Sequence, residues 1–287
     1  MPDATPDATT RADDTPLGRV VTLDGPFGRA VVHEHGAHLT SWTPTGHEDV
    51  LFTSRLARFD GKSAIRGGVP VIFPQFGPGP LPKHGFARTA RWTLDAQGTD
   101  DATTRATWPH AFALTLTIVA GDALAMTLAV ENTGDAPFTF MGALHTYLRV
   151  GDVTRVGVRG LEGRRLRDQL AGGAERTEGD TPMRIDGSVD RVYLDAPGPF
   201  MVVDDALGRT LRLTTDGFAD AVLWNPWAEG ARAFEDMGDE EWRAMLCLEA
   251  AVVATPVTLA PGARWEGAQR LEVVSPLVGA PHARRSS

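Results

Sequence analysis

Glycine and proline punctuate this chain so densely that long helices are ruled out over most of it. The 31 glycines and 20 prolines divide it into short apolar or alternating runs. A proline inside a helix removes a hydrogen bond and clashes with the preceding turn, and an interior glycine costs about 0.5–1 kcal/mol relative to alanine. The runs are Val20–Leu23, Ala30–His33, Val69–Phe73, Ala113–Ala120, Leu124–Val130, Phe138–Val150, Met201–Val203, Thr210–Thr214, Ala219–Leu223, Met245–Val253 and Trp265–Val274. Leu114, Leu116 and Ile118, then Leu124, Met126, Leu128 and Val130, alternate on either side of Ala120-Gly121-Asp122, which predicts a β-hairpin. Helical spacing is confined to short candidates near Ser54–Phe59 and Trp227–Phe234. Many short strands separated by turn signals predict an all-β, antiparallel sandwich or barrel.

A chain of 287 residues and 30.8 kDa is long enough for a single large β domain, expected over residues 17–275. Residues 1–16 are rich in Asp, Ala, Thr and Pro, so they read as a disordered extension, and residues 276–287, ending in ARRSS, read as a flexible tail. A formal charge of −9 argues against a nonspecific nucleic-acid surface, and any anionic ligand must be held by a local cluster of cations. With one cysteine no intramolecular disulfide framework exists. The opening MPDATPDATTRADD has neither a basic nor an apolar leader region, and no apolar run approaches the roughly 18 to 20 residues of a membrane helix. The expectation is a cytoplasmic protein with no membrane partner.

Three distant stretches carry the chemistry. IRGGVPVIFPQFGPGPLPKHGFAR at 65–88 is too rich in proline and glycine for a helix or a central strand, so it reads as a stiffened loop. Its charges, Arg66, Lys83, His84 and Arg88, are all basic and would make an anion site if the loop folded back on itself; otherwise they are solvated surface charges. Met141–Val150 reads as one strand with His145 on the face of Ala143 and Tyr147, either a general acid or a satisfied strand histidine. In the third stretch Met245, Cys247 and Glu249 share a strand face, and Glu249 is the only charge in an apolar run. Such a carboxyl has a raised pKa unless a cation or donor is near, which suits a general base; a structural ion pair is the alternative. Trp224, Trp227 and Trp242 around Asn225-Pro226 are either a sugar-stacking surface or core.

These motifs resemble one family. GAHLTSW at 36–42, IRGGVPVIFPQFG at 65–77, KHGFAR at 83–88 followed by Trp92, LHTYL at 144–148, DRVY at 190–193, WNPW at 224–227 and CLEA at 247–250 are similar, in order, to those of the aldose 1-epimerases, or mutarotases. The likeness runs from about residue 18 to 275 and is greatest to the hexose-6-phosphate mutarotase branch. It implies a large β-sandwich of the galactose-mutarotase type (a supersandwich) that interconverts the anomers of a hexose 6-phosphate without a cofactor or metal; separately, a monomer is expected. By the same resemblance His145 is the general acid and Glu249 the general base, Arg66 and Arg88 bind the phosphate, and Lys83 and Asp190 bind substrate; His84, beside Lys83, is expected to bind substrate with them.

Two departures bear on sugar preference. Lys83 stands where relatives carry a small polar residue, and Gln75 in PQFG replaces a more usual tryptophan, which would remove an aromatic wall. Three other readings compete: a free-aldose mutarotase, a noncatalytic carbohydrate-binding sandwich, and a cupin-like metal isomerase using His33, His35 and His38 of HEHGAH. The last lacks a recognisable later ligand.

Overall fold

The computed structural model describes residues 9–15, 18–93, 97–98 and 108–274. The first eight residues, residue 16 and the tail at 276–287 lie outside these limits. The rest of the expected extension differs from its reading: Thr9–Thr15 forms strand β1, paired residue for residue with β2 (Gly18–Gly25). It adds to a sheet edge through its backbone, which a polar side-chain set does not prevent. β3 (Gly28–His33) and β4 (His38–Pro44) complete this four-stranded meander.

Two larger sheets follow. One has the order β14 (Ala174–Thr177), β13 (Arg165–Asp168), β16 (Val189–Tyr193), β19 (Asp220–Asn225), β20 (Met245–Leu259), β10 (Phe138–Leu144) and β5 (Val71–Ile72). β11 (Tyr147–Arg149) also pairs with the long strand β20. The other has the order β15 (Met183–Arg184), β12 (Val156–Arg159), β17 (Phe200–Asp204), β18 (Arg209–Asp216), β21 (Arg264–Val274), β9 (Ala123–Asn132) and β8 (Phe112–Ala120). β6 (Trp92–Thr93) and β7 (Gln97–Gly98) form a small ribbon. Pairing within these sheets is antiparallel, and the expected hairpin is β8–β9, turning at Gly121-Asp122.

Alternation explains why the sheets stack. Leu223 and Leu248 belong to the main apolar cluster, together with Leu124, Met126, Leu128, Leu211, Leu213 and Leu271 of the facing sheet. Each such side chain contributes about 1.5–3 kcal/mol on burial. The intervening residues point the other way: Val192, Val222 and Ala251 join Ile72, Ala143 and Leu194 in a second, smaller cluster. Glu249 is register-paired with Val222 and so belongs to this outer face.

Two local expectations change. Ser54–Phe59 is not a helix: the Ser54 hydroxyl donates to Glu241 at 2.6 Å and the Arg55 N–H donates to the same carboxylate at 3.0 Å, so a long-range anchor replaces the second helical turn. The other candidate forms α1 (Trp227–Ala231). The run Met141–Val150 is not one strand, because β10 ends at Leu144 and β11 begins at Tyr147. At the break the His145 N–H turns to the Pro70 carbonyl, and the Thr146 side chain is bonded to Gln269 of β21.

Candidate active site

Two adjacent rungs of the sheet make the floor of a pocket of about 510 Å³. Asp190, Trp224, Cys247 and Tyr147 are aligned across β16, β19, β20 and β11, and Val192, Val222 and Glu249 form the next rung. The break after β10 lets His145 reach this face although it is in no ladder. Its Nδ1 lies 3.3 Å from Glu249 Oε1, and its ring is stacked on Tyr147 with centroids 4.8 Å apart and planes 9° apart. Trp224 meets the His145 ring edge-on. The contact is close but out of line for a hydrogen bond: neither His145 Nδ1 nor Glu249 Oε2 has a hydrogen-bond partner among the described residues. Glu249 is 1% exposed and His145 8%.

Burial dominates the charge state of this pair. It pushes the Glu249 carboxyl well above the usual range, Asp190 adds to the shift, and Arg88 opposes it. It pushes His145 well below the ordinary histidine value, helped by His84, Arg88 and Arg66. Both directions favour a neutral pair holding one proton between them. Asp190 is also raised, to about 6, by burial and the Asp168 charge against the attraction of Lys83.

Cations enclose one side of the pocket. Arg66 follows from a strained turn: Gly67 and Gly68 have φ of 116° and 60°, and a Cβ on Gly68 would fall 2.2 Å from the Leu39 carbonyl oxygen and 2.9 Å from His38 Nε2. His38, fully buried, donates from Nε2 to the Gly67 carbonyl at 2.7 Å and so secures that turn. The Arg66 guanidinium donates twice to Asp236 Oδ1, at 3.2 and 3.1 Å, and once to the Tyr147 hydroxyl at 3.2 Å, with its Cζ 4.4 Å from the Phe234 ring centre. Arg88 differs, because it donates to the Lys83 carbonyl at 2.7 Å while its Nε is buried without a partner. No carboxylate forms an ion pair with Arg88 among the described residues. His84 accepts the Gly77 N–H on Nδ1 at 3.3 Å, leaving Nε2 as its protonated nitrogen. Burial and then the charges of Arg88, Lys83 and Arg66 lower its pKa to about 3, so it is neutral at pH 7.

Arg66, Lys83, His84, Arg88, His145, Asp190 and Glu249 therefore all line one pocket. Of the three tryptophans, only Trp224 lines it; Trp227 and Trp242 pack on each other with centroids 4.3 Å apart. Gln75 is no missing wall. It is 5% exposed and turned away from the pocket into the proline-rich loop, where its amide is bonded to backbone. The HEHGAH histidines have separate partners, His33 the Thr40 hydroxyl, His35 the Ser63 carbonyl and His38 the Gly67 carbonyl. Asp236 and Phe234 were not foreseen; within FEDMGDEE nothing separates the carboxylate that meets Arg66 from those that face solvent.

Known proteins place this geometry in a family. Residues 19–272 match the family described as Aldose 1-epimerase. A protein of Cenchrus ciliaris, provisionally named a glucose-6-phosphate 1-epimerase, is 37% identical over 267 residues, covering 85% of this chain and 81% of its own length. A protein of Escherichia coli (strain K12), with the same provisional name, is 35% identical over 247 residues, covering 81% and 82% respectively. The crystal structure of a protein from Salmonella typhimurium, provisionally described as a mutarotase, superposes with a TM-score of 0.85 at 31% identity over 96% of each chain. With the match spanning both large sheets and every pocket residue named above, the chain belongs to the aldose 1-epimerase family.

Proposed function

We propose that this protein interconverts the α and β anomers of a hexose 6-phosphate, glucose 6-phosphate first among them. The observation that carries the reading is a buried His145–Glu249 pair, its facing atoms 3.3 Å apart, on the floor of a pocket whose rim holds Arg66, Arg88 and Lys83. The provisional names of the two relatives support the choice of a 6-phosphate. Asp190 and neutral His84 are placed to bond sugar hydroxyls or phosphate, and Trp224 offers an aromatic surface.

The reaction needs two coupled proton transfers. The Glu249 carboxylate takes the proton of the anomeric hydroxyl, the C1–O1 bond becomes a carbonyl as the C1–O5 bond breaks, and His145 protonates O5. Rotation about C1–C2 presents the opposite carbonyl face. O5 then attacks C1, His145 takes back its proton, and Glu249 returns one to O1. When the ring is open the proton is on Glu249 and His145 is neutral, which is the charge state that burial favours. The resting pair therefore has to pass its proton from Glu249 to His145 before opening begins, and opening returns it to the neutral state. Positioned acid–base groups contribute about 10² to 10⁴-fold, and the phosphate clamp fixes the chain while its C1 end rotates.

The direct test is exchange between the anomers of glucose 6-phosphate, followed by NMR magnetisation transfer. Exchange above the buffer rate is expected; a rate equal to buffer would sink the reading. The pH profile should be distinctive. The one-proton state of the pair lasts from the depressed His145 pKa to the raised Glu249 pKa, so kcat is expected to show no inflection near 6.5, where an ordinary catalytic histidine titrates. In contrast, kcat/KM should fall as Asp190 takes up its proton around pH 6, and Asp190→Asn should remove that part of the fall. A kcat inflection near 6.5 would show an ordinary, water-exposed acid.

A further inference from the structure

The loop that brings Lys83 and His84 to the pocket and leads into the short 3-10 turn of Arg88 has no regular structure of its own, yet its middle is organised around one buried side chain. Gln75 Nε2 faces the carbonyls of Gly77 at 3.0 Å, Leu81 at 3.3 Å and Pro82 at 3.4 Å, while its Oε1 accepts the Leu81 N–H at 3.1 Å. Two further bonds close the loop at its ends: His84 N–H donates to the Gly77 carbonyl at 3.0 Å, and Gly77 N–H donates to His84 Nδ1. His84 has φ of 68°, a left-handed conformation that a non-glycine residue keeps only when its surroundings impose it. The next residue back, Lys83, presents the carbonyl that accepts from Arg88. Gly79 belongs to the same arrangement, since a Cβ there would lie 2.3 Å from Gln75 Oε1 and 2.6 Å from its Cδ.

We propose that Gln75 is a positioning residue for the phosphate end of the site: its carboxamide holds residues 77–82 as a rigid loop and, through the Lys83 carbonyl, sets the Arg88 guanidinium. The proposal rests on the sugar-phosphate reading above. Gln75 does not line the pocket. It suits the task because a primary amide supplies both donors and an acceptor to a backbone that has no ladder partners, and a buried backbone group without a partner is costly. It is also uncharged, so replacing it leaves the electrostatics of Arg66, Lys83 and Arg88 as they are. An aromatic side chain at this position would supply at most one donor, and the loop would need another means of closure.

Gln75→Leu keeps the side-chain length and removes the amide. It is expected to raise KM for glucose 6-phosphate by about tenfold while changing kcat, and kcat/KM for free glucose, by less than about twofold. The affinity for inorganic phosphate, measured by calorimetry, should fall by a similar factor. Gly79→Ala leaves Gln75 in place but drives its amide out of the loop, so the same selective loss is expected there; it carries the test if Gln75→Leu does not fold. Equal losses on phosphorylated and free sugar would make Gln75 merely structural and overturn the proposal, as would unchanged phosphate affinity in both variants. A wild-type protein that binds phosphate, loses it on Gln75→Leu, yet shows no anomer exchange would instead refute the activity and leave the role of Gln75 standing.

Discussion

Glu249→Gln is expected to lower kcat for glucose 6-phosphate anomer exchange by about 10² to 10⁴-fold and, in the same protein, to raise thermal stability. The two effects have one origin. In the unfolded chain this carboxyl ionises near 4.5, whereas burial holds it well above that value in the folded protein. A group with a raised folded pKa binds more protons folded than unfolded between the two values, so its cost to stability grows as pH rises through that window. Glutamine keeps the shape and carries no such cost. The gain in Tm should therefore be larger at pH 8 than at pH 5, with a rise of about 2 °C or more at the higher pH. His145→Asn should lose turnover comparably, since either change removes one member of the pair. Full activity in Glu249→Gln would end its assignment as base, and a Tm gain independent of pH would mean that the carboxyl is not held neutral. A residue retained against stability in this way is a mark of function.

How much of this was legible beforehand varied with the kind of signal. Strand positions were readable because apolar alternation and turn residues are local: β8 and β9 follow Leu114–Ile118 and Leu124–Val130, with Gly121-Asp122 between them. Glu249 was readable for the same reason, as a charge where the pattern allows none. The break at His145 is not readable, because it depends on the distant Pro70 carbonyl, which takes the backbone N–H that a continuous strand would have paired, and on Gln269, which holds the Thr146 hydroxyl. β1 is not legible because a polar strand joins a sheet through its backbone, which composition does not register. The sites of Arg66 and Arg88 looked equivalent, and the pairing of one with Asp236 is a contact across 170 residues that no local pattern encodes. At Gln75 the residue type alone implies the loss of an aromatic wall, but it does not encode the side chain's direction, which is into the loop.

The inequality between the two arginines leads to the second large effect. Arg88→Ala is expected to raise KM for glucose 6-phosphate by about 30- to 1000-fold, the loss of two charge-assisted hydrogen bonds at about 1.5–3 kcal/mol each, less what neighbours recover. Free glucose should be turned over within about threefold of the wild-type rate. The difference between the two arginines is electrostatic. Arg66 already meets a carboxylate, Asp236, and the Tyr147 hydroxyl, so much of its field is neutralised before any phosphate arrives. Arg88 has a carbonyl at one nitrogen and a buried Nε without a partner, so its charge remains to be met. Arg66→Ala should accordingly show a smaller preference between the two sugars but a clear fall in Tm, because it leaves the mostly buried Asp236 carboxylate without its cation. Measuring kcat/KM on both sugars together with Tm for each variant separates these roles. Equal losses on glucose and glucose 6-phosphate in Arg88→Ala would place the phosphate elsewhere, whereas a selective loss confined to Arg66→Ala would mean that phosphate displaces Asp236 from its arginine. Because the protein carries a net charge of −9, its long-range field repels a sugar phosphate. Screening by salt weakens that repulsion more than it weakens a contact at a partly buried guanidinium. Added salt should therefore cost the wild-type enzyme less KM than a surface-charge mechanism would require.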